Sequence, residues 1–289
     1  MRSATQPRRC ISLLFLLCLI SVLRKRICWR AHVATVPTGS SVIPRRTRLE
    51  VCLRAVLLKP AKSAVSFASE NGFKMPTTIG QVLPDSNYGK VLQKMARRRD
   101  IQAVLETGTW IGSGSSLAIA TGLKQSDGML FTIEAVEEKW LLAEHHLRDF
   151  PVKCLLGVGV DSDALPSEEF AASQGGGGTG EESREVWSEW LRNERAVAET
   201  YPFGLIKPIC EKLPIDFLHI DGGEFSGPAE LSTALQYCKD LRLIALDDTG
   251  TFKNRENYRY LQHSNDWKMI EEDQKDRHGW AVFEHVRRS

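Results

Sequence analysis

The stretch VLETGTWIGSGSS, from Val104 to Ser116, decides the fold class of this chain. An apolar run ends in the carboxylate of Glu106, and glycines and serines then crowd the residues that follow. This order predicts a buried strand, a tight turn and then a helix. Gly108 and Gly112 carry no β-carbon, so the turn would let a ligand approach the backbone closely. A glycine turn that binds no ligand is the alternative interpretation.

The spacing of the glycines distinguishes this turn from a dinucleotide-binding loop. Here the pattern is G-x-x-x-G-x-G, whereas the loop that holds a pyrophosphate has the pattern G-x-G-x-x-G. Trp110 and Ile111 also stand where a pyrophosphate-binding loop needs small residues. The turn therefore favours a ligand other than NAD.

Beyond this stretch, apolar strands alternate with amphipathic helices. The predicted strands are 103–108, 129–135, 152–160, 215–221, 241–248, 267–273 and 279–286, and helices are predicted at 87–100 and 184–199. The second of these helices would carry Trp187, Trp190 and Leu191 on its apolar side. Such alternation predicts an α/β, Rossmann-like three-layer sandwich, in which helices cover both faces of a mostly parallel sheet. The last two strands would form an antiparallel hairpin.

The first fifty residues differ in charge from the rest of the chain. The 289 residues carry a net charge of only +2, which does not indicate a nucleic-acid partner. No Asp or Glu precedes Glu50, and a largely apolar segment of 14 residues, from Cys10 to Leu23, lies between basic clusters. A membrane-spanning helix needs roughly 20 apolar residues, so this segment fits a signal peptide better. We expect a secretory-pathway or membrane-anchored protein, with an uncleaved membrane tether or a two-part leader for a plastid or mitochondrion as alternatives.

Composition also divides the chain into segments. Residues 1–50 are the predicted leader, 51–86 a linker and 87–289 the folded domain. Within this domain, the run SQGGGG marks 162–201 as a low-complexity insertion, which we expect to cover the acceptor site as a lid. The seven cysteines are scattered and form no CxxC pair. They predict buried free thiols, not a zinc site or a dense disulfide framework.

Acidic side chains recur where the predicted strands end. They are Glu106, Glu134, Asp221, and the pair Asp247 and Asp248. The carboxyl ends of parallel strands meet at one edge of an open sheet, where ligands bind. Glu134 lies 22 residues after Gly112, a position from which an acidic side chain accepts hydrogen bonds from both ribose hydroxyls. The pattern predicts a nucleoside-binding site at this edge.

Together these motifs resemble the class I S-adenosylmethionine-dependent methyltransferases. The resemblance covers about residues 87–286 and rests on ETGTWIG, TIEA, DFLHIDG, IALDD and the closing hairpin. It implies a seven-stranded sheet whose last strand runs antiparallel between the fifth and the sixth. It also implies that Glu106, Gly108 and Gly112 line the methionine part of S-adenosylmethionine (SAM), that Glu134 binds its ribose and that Asp161 approaches its adenine.

A narrower resemblance is to the cation-dependent, catechol-type O-methyltransferases. It implies that Asp221, Asp247 and Asp248 hold Mg²⁺, an ion that prefers oxygen ligands and lowers the pKa of a bound hydroxyl. The chain departs from that group at two points, because Asp248 replaces an asparagine and Gly223 and Glu224 replace a lysine or histidine. Asp221 and Glu224 are then the candidate catalytic residues, with Glu224 as a general base or, alternatively, as a residue of a helix start.

The activity that follows is transfer of a methyl group from SAM to an oxygen of a small molecule. Two alternatives are a metal-dependent hydroxylase-like relative on the same fold and a non-catalytic, membrane-tethered module that binds the cofactor. None of these three interpretations requires nucleic acid as a partner.

Overall fold

The computed structural model describes residues 81–174 and 184–286. The predicted leader, most of the predicted linker and the glycine-rich part of the insertion lie outside the described residues. Within the two described ranges, no helix is both long and apolar enough to cross a membrane.

Seven strands form one sheet in the order β3-β2-β1-β4-β5-β7-β6. The strands are β1 (Ala103–Thr107), β2 (Met129–Glu134), β3 (Val152–Leu156), β4 (Phe217–Ile220), β5 (Leu243–Asp247), β6 (Trp267–Asp273) and β7 (Trp280–His285). The first five run parallel to one another, and β7 pairs antiparallel with both β5 and β6. The predicted fold class, the parallel sheet and the terminal hairpin are confirmed. The strand order reverses between β1 and β4, which is where an open α/β sheet binds ligands.

Eight helices occur in the described ranges. They are α1 (Asn87–Ala96), α2 (Ser115–Leu123), α3 (Glu137–His146), α4 (Glu168–Gln174), α5 (Arg184–Glu199), α6 (Ile206–Cys210), α7 (Gly227–Tyr237) and α8 (Phe252–His263). Helices α1 and α2 pack on the face of the sheet toward which Glu106 points, where Ser115 and Ser116 of α2 contact its carboxylate. Thr107 points to the opposite face and contacts Glu230 of α7. Helices therefore cover both faces, as the three-layer prediction requires.

The main hydrophobic core lies between the sheet and the helices α1 and α2. Tyr88 and Leu92 of α1 and Ile119 of α2 are fully buried there, against apolar residues of β1, β4, β5 and β7. Tyr88 stacks on Trp280 of β7 with ring centroids 4.9 Å apart. Helix α1 begins at a serine cap, since the Ser86 hydroxyl accepts a hydrogen bond from the Gly89 amide.

The predicted insertion is mostly helical. Trp187 and Leu191 of α5 are buried with Phe225 and Phe252, which lie at the starts of the segments that follow β4 and β5. Trp190 was expected on the same apolar side, but 42% of its surface is exposed. The ring of Trp190 lies beside that of Trp187, with centroids 6.2 Å apart, at the margin of the cluster.

Three further sequence-based expectations differ from the structure. The third strand ends at Leu156, because Val158 and Gly159 hydrogen-bond to Leu205 and Ile206 instead of continuing the sheet. The predicted linker is packed at its end, since Val82 is only 2% exposed. Cys210 and Cys238 form a disulfide between the ends of α6 and α7, with a Cα–Cα distance of 4.6 Å, so they are not free thiols. Cys154 is free and buried, as expected.

Candidate functional site

A cavity of about 410 Å³ opens at the carboxyl ends of β1, β2 and β4. Its wall includes Gly108 after β1, Glu134 at the end of β2 and Asp221 after β4. On one side it is closed by Leu165, Glu194 and Val197 of the insertion. A volume of this size lies within the range of small-molecule sites. The sequence-based site at this edge of the sheet therefore has a physical cavity.

The glycines of the turn after β1 are explained first by their protein neighbours. Gly108 has a φ of +84°, and a β-carbon on it would lie 1.9 Å from the carbonyl oxygen of Asp221. Gly112 has a φ of +75°, and its β-carbon would collide with α3 at Leu147 and Ala143. Gly108 lines the cavity, whereas Gly112 faces α3 and does not line it. The contact of Gly112 with the methionine part of SAM stays a prediction.

Glu106 is enclosed by the protein. None of its surface is exposed, and its carboxylate accepts hydrogen bonds from the hydroxyls of Ser115, Ser116 and Thr132. His219 Nδ1 lies 3.1 Å from Glu106 Oε1. Burial alone would lower the pKa of His219, but the Glu106 carboxylate outweighs it and raises this pKa. Glu106 therefore organises the fold behind the cavity and does not line it, and its role at the methionine part of SAM stays a prediction.

Glu134 is the acidic residue that reaches the cavity from β2. Its side chain is 7% exposed, and the amides of Trp110 and Val136 donate to its two oxygens at 2.8 and 2.9 Å. Burial raises the pKa of Glu134, while these amides and the charge of Lys139 oppose the rise. Each carboxylate oxygen has two lone-pair directions, so each can accept one further hydrogen bond from a ligand.

Trp110 stands beside Glu134 in an uncommon backbone conformation. Its φ is +54°, which is rare for a residue with a β-carbon, and its ring lies on the cavity wall. The ammonium of Lys139 lies 3.4 Å from the centre of that ring. Strained residues of this kind concentrate where a ligand is held.

Asp161 lies away from the cavity. It is exposed, does not line the wall and accepts a hydrogen bond from the Gly204 amide. Its expected approach to adenine has no counterpart here, because the chain turns after Val160 and directs Asp161 toward the loop before α6. Val158 and Val160 line the cavity in this part of the site.

The three predicted metal ligands do come together. Asp221, Asp247 and Asp248 each offer a carboxylate oxygen, and these oxygens lie within 4.8 Å of one another. However, two cationic side chains already contact them. Lys253 Nζ lies 2.9 Å from Asp221 Oδ1 and 2.8 Å from Asp248 Oδ2. Arg277 Nη2 lies 2.8 Å from Asp247 Oδ2 and 3.9 Å from Asp248 Oδ1.

Charge and burial shift the pKa values of these aspartates and of Lys253 in different directions. Burial raises the pKa of Asp247, and the neighbouring charges of Asp221 and Asp248 raise it further. Burial would also raise the pKa of Asp248, but Lys253 and Arg277 outweigh this effect and lower it. Burial opposes the charge on Lys253, yet the three aspartates raise its pKa well above the usual value. Lys253 is therefore an ammonium ion at neutral pH.

The position of Lys253 is set by the backbone around it. The side-chain amide of the next residue, Asn254, donates to the carbonyls of Ile220 and Asp247, which end β4 and β5. Gly227 at the start of α7 packs against the Lys253 carbonyl so closely that a β-carbon there would lie 2.0 Å from it. Thr251 caps α8 by accepting from the Lys253 amide. The start of α8 is thus clamped to the two strand ends that carry the aspartates.

The residues thus fit SAM but leave no position for a divalent cation. For SAM, Glu134 and Gly108 lie on the wall of a cavity of suitable size. For Mg²⁺, the donor oxygens are the correct type, but the ammonium of Lys253 stands between Asp221 and Asp248. A divalent ion bound by all three aspartates would have to displace it.

Three glutamates complete the surroundings of the cavity. Glu224, the candidate base, does not line the wall; burial raises its pKa, and its side chain hydrogen-bonds to Thr251. Glu194 of α5 and Glu230 of α7 do line it and were not predicted. Burial raises the pKa of Glu230 to about 7, although the Thr107 hydroxyl donates to it. Nothing in the local sequence marks these two, because acidic residues on helices are usually solvated.

Comparison with known proteins gives the following picture. No family model matches the sequence, and no curated protein matches it. Solved structures, however, match it. An O-methyltransferase of Bacillus cereus in complex with SAH is 17% identical, with 85% of this chain and 93% of that chain covered and a TM-score of 0.43. The O-methyltransferase TomG of Streptomyces achromogenes, involved in tomaymycin synthesis and in complex with SAM, is 16% identical, with 85% and 100% covered and a TM-score of 0.45. The SAH-bound methyltransferase PaMTH1 of Podospora anserina is 12% identical, with 86% and 100% covered and a TM-score of 0.44.

Proposed function

We propose that this protein is a SAM-dependent methyltransferase that methylates an oxygen of a small molecule. The observation that carries the proposal is the position of Glu134. Its buried carboxylate ends β2 on the cavity wall, beside the glycine turn after β1, and each of its oxygens can accept another hydrogen bond. This is the place where a parallel α/β sheet holds the ribose of a nucleoside.

In this proposal, SAM would supply an activated methyl group on its positively charged sulfur, which would pass to the acceptor oxygen while the sulfur kept the C–S electron pair as a neutral thioether. Glu134 would hold the ribose hydroxyls and fix the position of the methyl group. The Asp221 carboxylate, which also lines the cavity, would take the proton of the acceptor hydroxyl. We assign this role to Asp221 and not to Glu224, because Glu224 does not reach the cavity. Proximity and orientation would supply most of the acceleration.

Calorimetry with SAM on the full-length protein tests the first part of the proposal. We expect one binding site per chain and a roughly 100-fold higher dissociation constant in Glu134→Ala. Release of SAH in the presence of hydroxylated small molecules tests the second part. Saturable SAM binding without release of SAH from any acceptor would favour the non-catalytic module, and absence of SAM binding would reject the proposal.

We also propose that the protein enters the secretory pathway, tethered to a membrane or released. Two independent features support this location: the apolar and basic first 50 residues, and the disulfide between Cys210 and Cys238. Disulfides persist in oxidising compartments and are rare in the cytosol. Peptide mapping without reductant should recover the Cys210 and Cys238 peptides linked in protein from its native source. Fully reduced peptides from that source would contradict the location.

A further inference from the structure

We infer that the ammonium of Lys253 takes the place of a divalent cation in this site, so that Asp221, Asp247 and Asp248 do not bind Mg²⁺ in the native protein. The inference rests on the proposed function and concerns the same cavity. In this inference, the ammonium of Lys253 is the positive charge nearest the acceptor oxygen in the cavity.

The first argument is the position of the charge. An ion held by the three aspartates would have to contact oxygens of both Asp221 and Asp248. Lys253 Nζ already lies between these two side chains, at 2.9 and 2.8 Å, and only 12% of the lysine side chain is exposed. Such short, charge-assisted contacts are the strong class of hydrogen bond.

The second argument is the balance of charge. Three carboxylates carry up to three negative charges, and Lys253 and Arg277 supply two positive ones. Arg277 contacts Asp247, which has no exposed surface, so the two cations are distributed over all three carboxylates. A divalent ion added to this group would lie beside two positive side chains. Removal of Lys253 would instead leave a net charge that a divalent ion can balance.

The third argument is that the ligands themselves are intact. Among the described residues, none donates a hydrogen bond to Asp247 Oδ1 or Asp248 Oδ1, although both atoms are buried. The three carboxylates also converge within 4.8 Å. The site thus has the donor oxygens for a divalent ion, and the lysine ammonium occupies the position between two of the three carboxylates. Asn254 ties the start of α8 to the ends of β4 and β5, so the fold holds the neighbouring Lys253 between the aspartates.

Titration of the full-length protein with Mn²⁺ alone, without SAM or acceptor, tests the inference by calorimetry and by the paramagnetic resonance of free Mn²⁺. We expect no saturable site in the wild-type protein at millimolar Mn²⁺. Lys253→Met, which keeps the unbranched shape of the side chain up to Cε but removes the ammonium, should bind one Mn²⁺ roughly tenfold or more tightly than the wild-type protein. The double variant Lys253→Met, Asp221→Ala, which removes one donor carboxylate outright, should lose that site.

Lys139→Met is the matched control. Lys139 is also on the cavity wall, but it lies over Trp110, and its removal should create no Mn²⁺ site. If Lys253→Met does not fold without metal, recovery of its thermal transition by Mn²⁺ supports the inference. If Mn²⁺ does not restore folding of this variant, the titration of the wild-type protein decides the question. Wild-type binding of Mn²⁺ that Asp221→Ala abolishes would overturn the inference. Because SAM is absent from this experiment, failure of the proposed function, measured by SAM calorimetry, is a separate result.

Discussion

The neighbouring strands β1 and β2 both carry a glutamate at the same edge of the sheet, and the structure uses the two in opposite ways. Glu106 is fully buried among three hydroxyls and a histidine. Glu134 is held by two backbone amides on the wall of the cavity. Position along the strand direction explains the difference in part. In the register of β1 and β2, Glu106 pairs with Thr132, so Glu134 lies two residues further toward the edge of the sheet on the same face. Glu106 therefore stays beneath α2, whereas Glu134 reaches the edge where the cavity opens.

The two glutamates therefore show that an acidic residue near a strand end has two possible roles. With hydroxyl donors from the next helix it stabilises the fold, and with backbone donors it keeps lone pairs for a ligand. If this distinction is correct, substitution of Glu106 lowers stability, whereas substitution of Glu134 lowers ligand affinity.

The largest expected effect is on stability, in Glu106→Ala. The substitution leaves three buried hydroxyls and His219 without their shared acceptor. Loss of one partner of a buried charged network costs about 3 to 5 kcal/mol, and we expect about 4 kcal/mol here. Urea unfolding followed by circular dichroism measures it. Glu134→Ala, run beside it, should lose much less. Equal destabilisation by the two substitutions would remove the distinction.

The second effect is on the affinity for SAM, in Glu134→Ala. Two hydrogen bonds from ribose hydroxyls to a carboxylate contribute about 1.5 kcal/mol each, so the dissociation constant should rise roughly 100-fold. Glu134→Gln should fall in between, because an amide has only one oxygen. Calorimetry gives both values. A dissociation constant within a factor of about two of the wild type in Glu134→Ala would show that the ribose is not bound there.

The sequence alone predicts the sheet more fully than the site. Apolar runs and their spacing place all seven strands and helix α5, because burial on both faces requires that composition. The convergence of Asp221, Asp247 and Asp248 follows from the parallel direction of β4 and β5. Arg277 was not predicted to neutralise this group, because it comes from the β6–β7 turn, and only the folded chain brings it to Asp247. Likewise, the local sequence does not show that Glu230 reaches the cavity from α7.

Glu230 gives the third prediction, which concerns pH. Its pKa is about 7 in the folded protein and 4.5 in an exposed carboxyl group. Between these two values the unfolded chain has released the proton that the folded protein still holds. The free energy of unfolding should therefore fall as the pH rises through this window and stay low above it.

Glu230→Gln removes this titration and can still accept the hydrogen bond from Thr107. From about pH 5 to about pH 7.5 the wild-type protein should lose about 2 kcal/mol more stability than this variant. Urea unfolding at the two pH values measures the difference. Parallel pH profiles for the two proteins would mean that Glu230 is not the group responsible.

The smallest expected effect concerns Asp161, and it tests where the adenine lies. Sequence resemblance assigns Asp161 to the adenine, whereas in the structure its carboxylate accepts from the Gly204 amide outside the cavity. Asp161→Ala should therefore cost about 1 kcal/mol of stability through the loss of one hydrogen bond. Its dissociation constant for SAM should stay within about a factor of two of the wild type. Asp163→Ala controls for the change in charge, because Asp163 is an acidic residue of the short 3-10 segment (Ser162–Ala164) that directly follows Asp161.

A loss of affinity specific to Asp161→Ala would move the adenine toward the loop before α6. In that case, the cofactor would extend past Val160 instead of ending against Val158 and Val160.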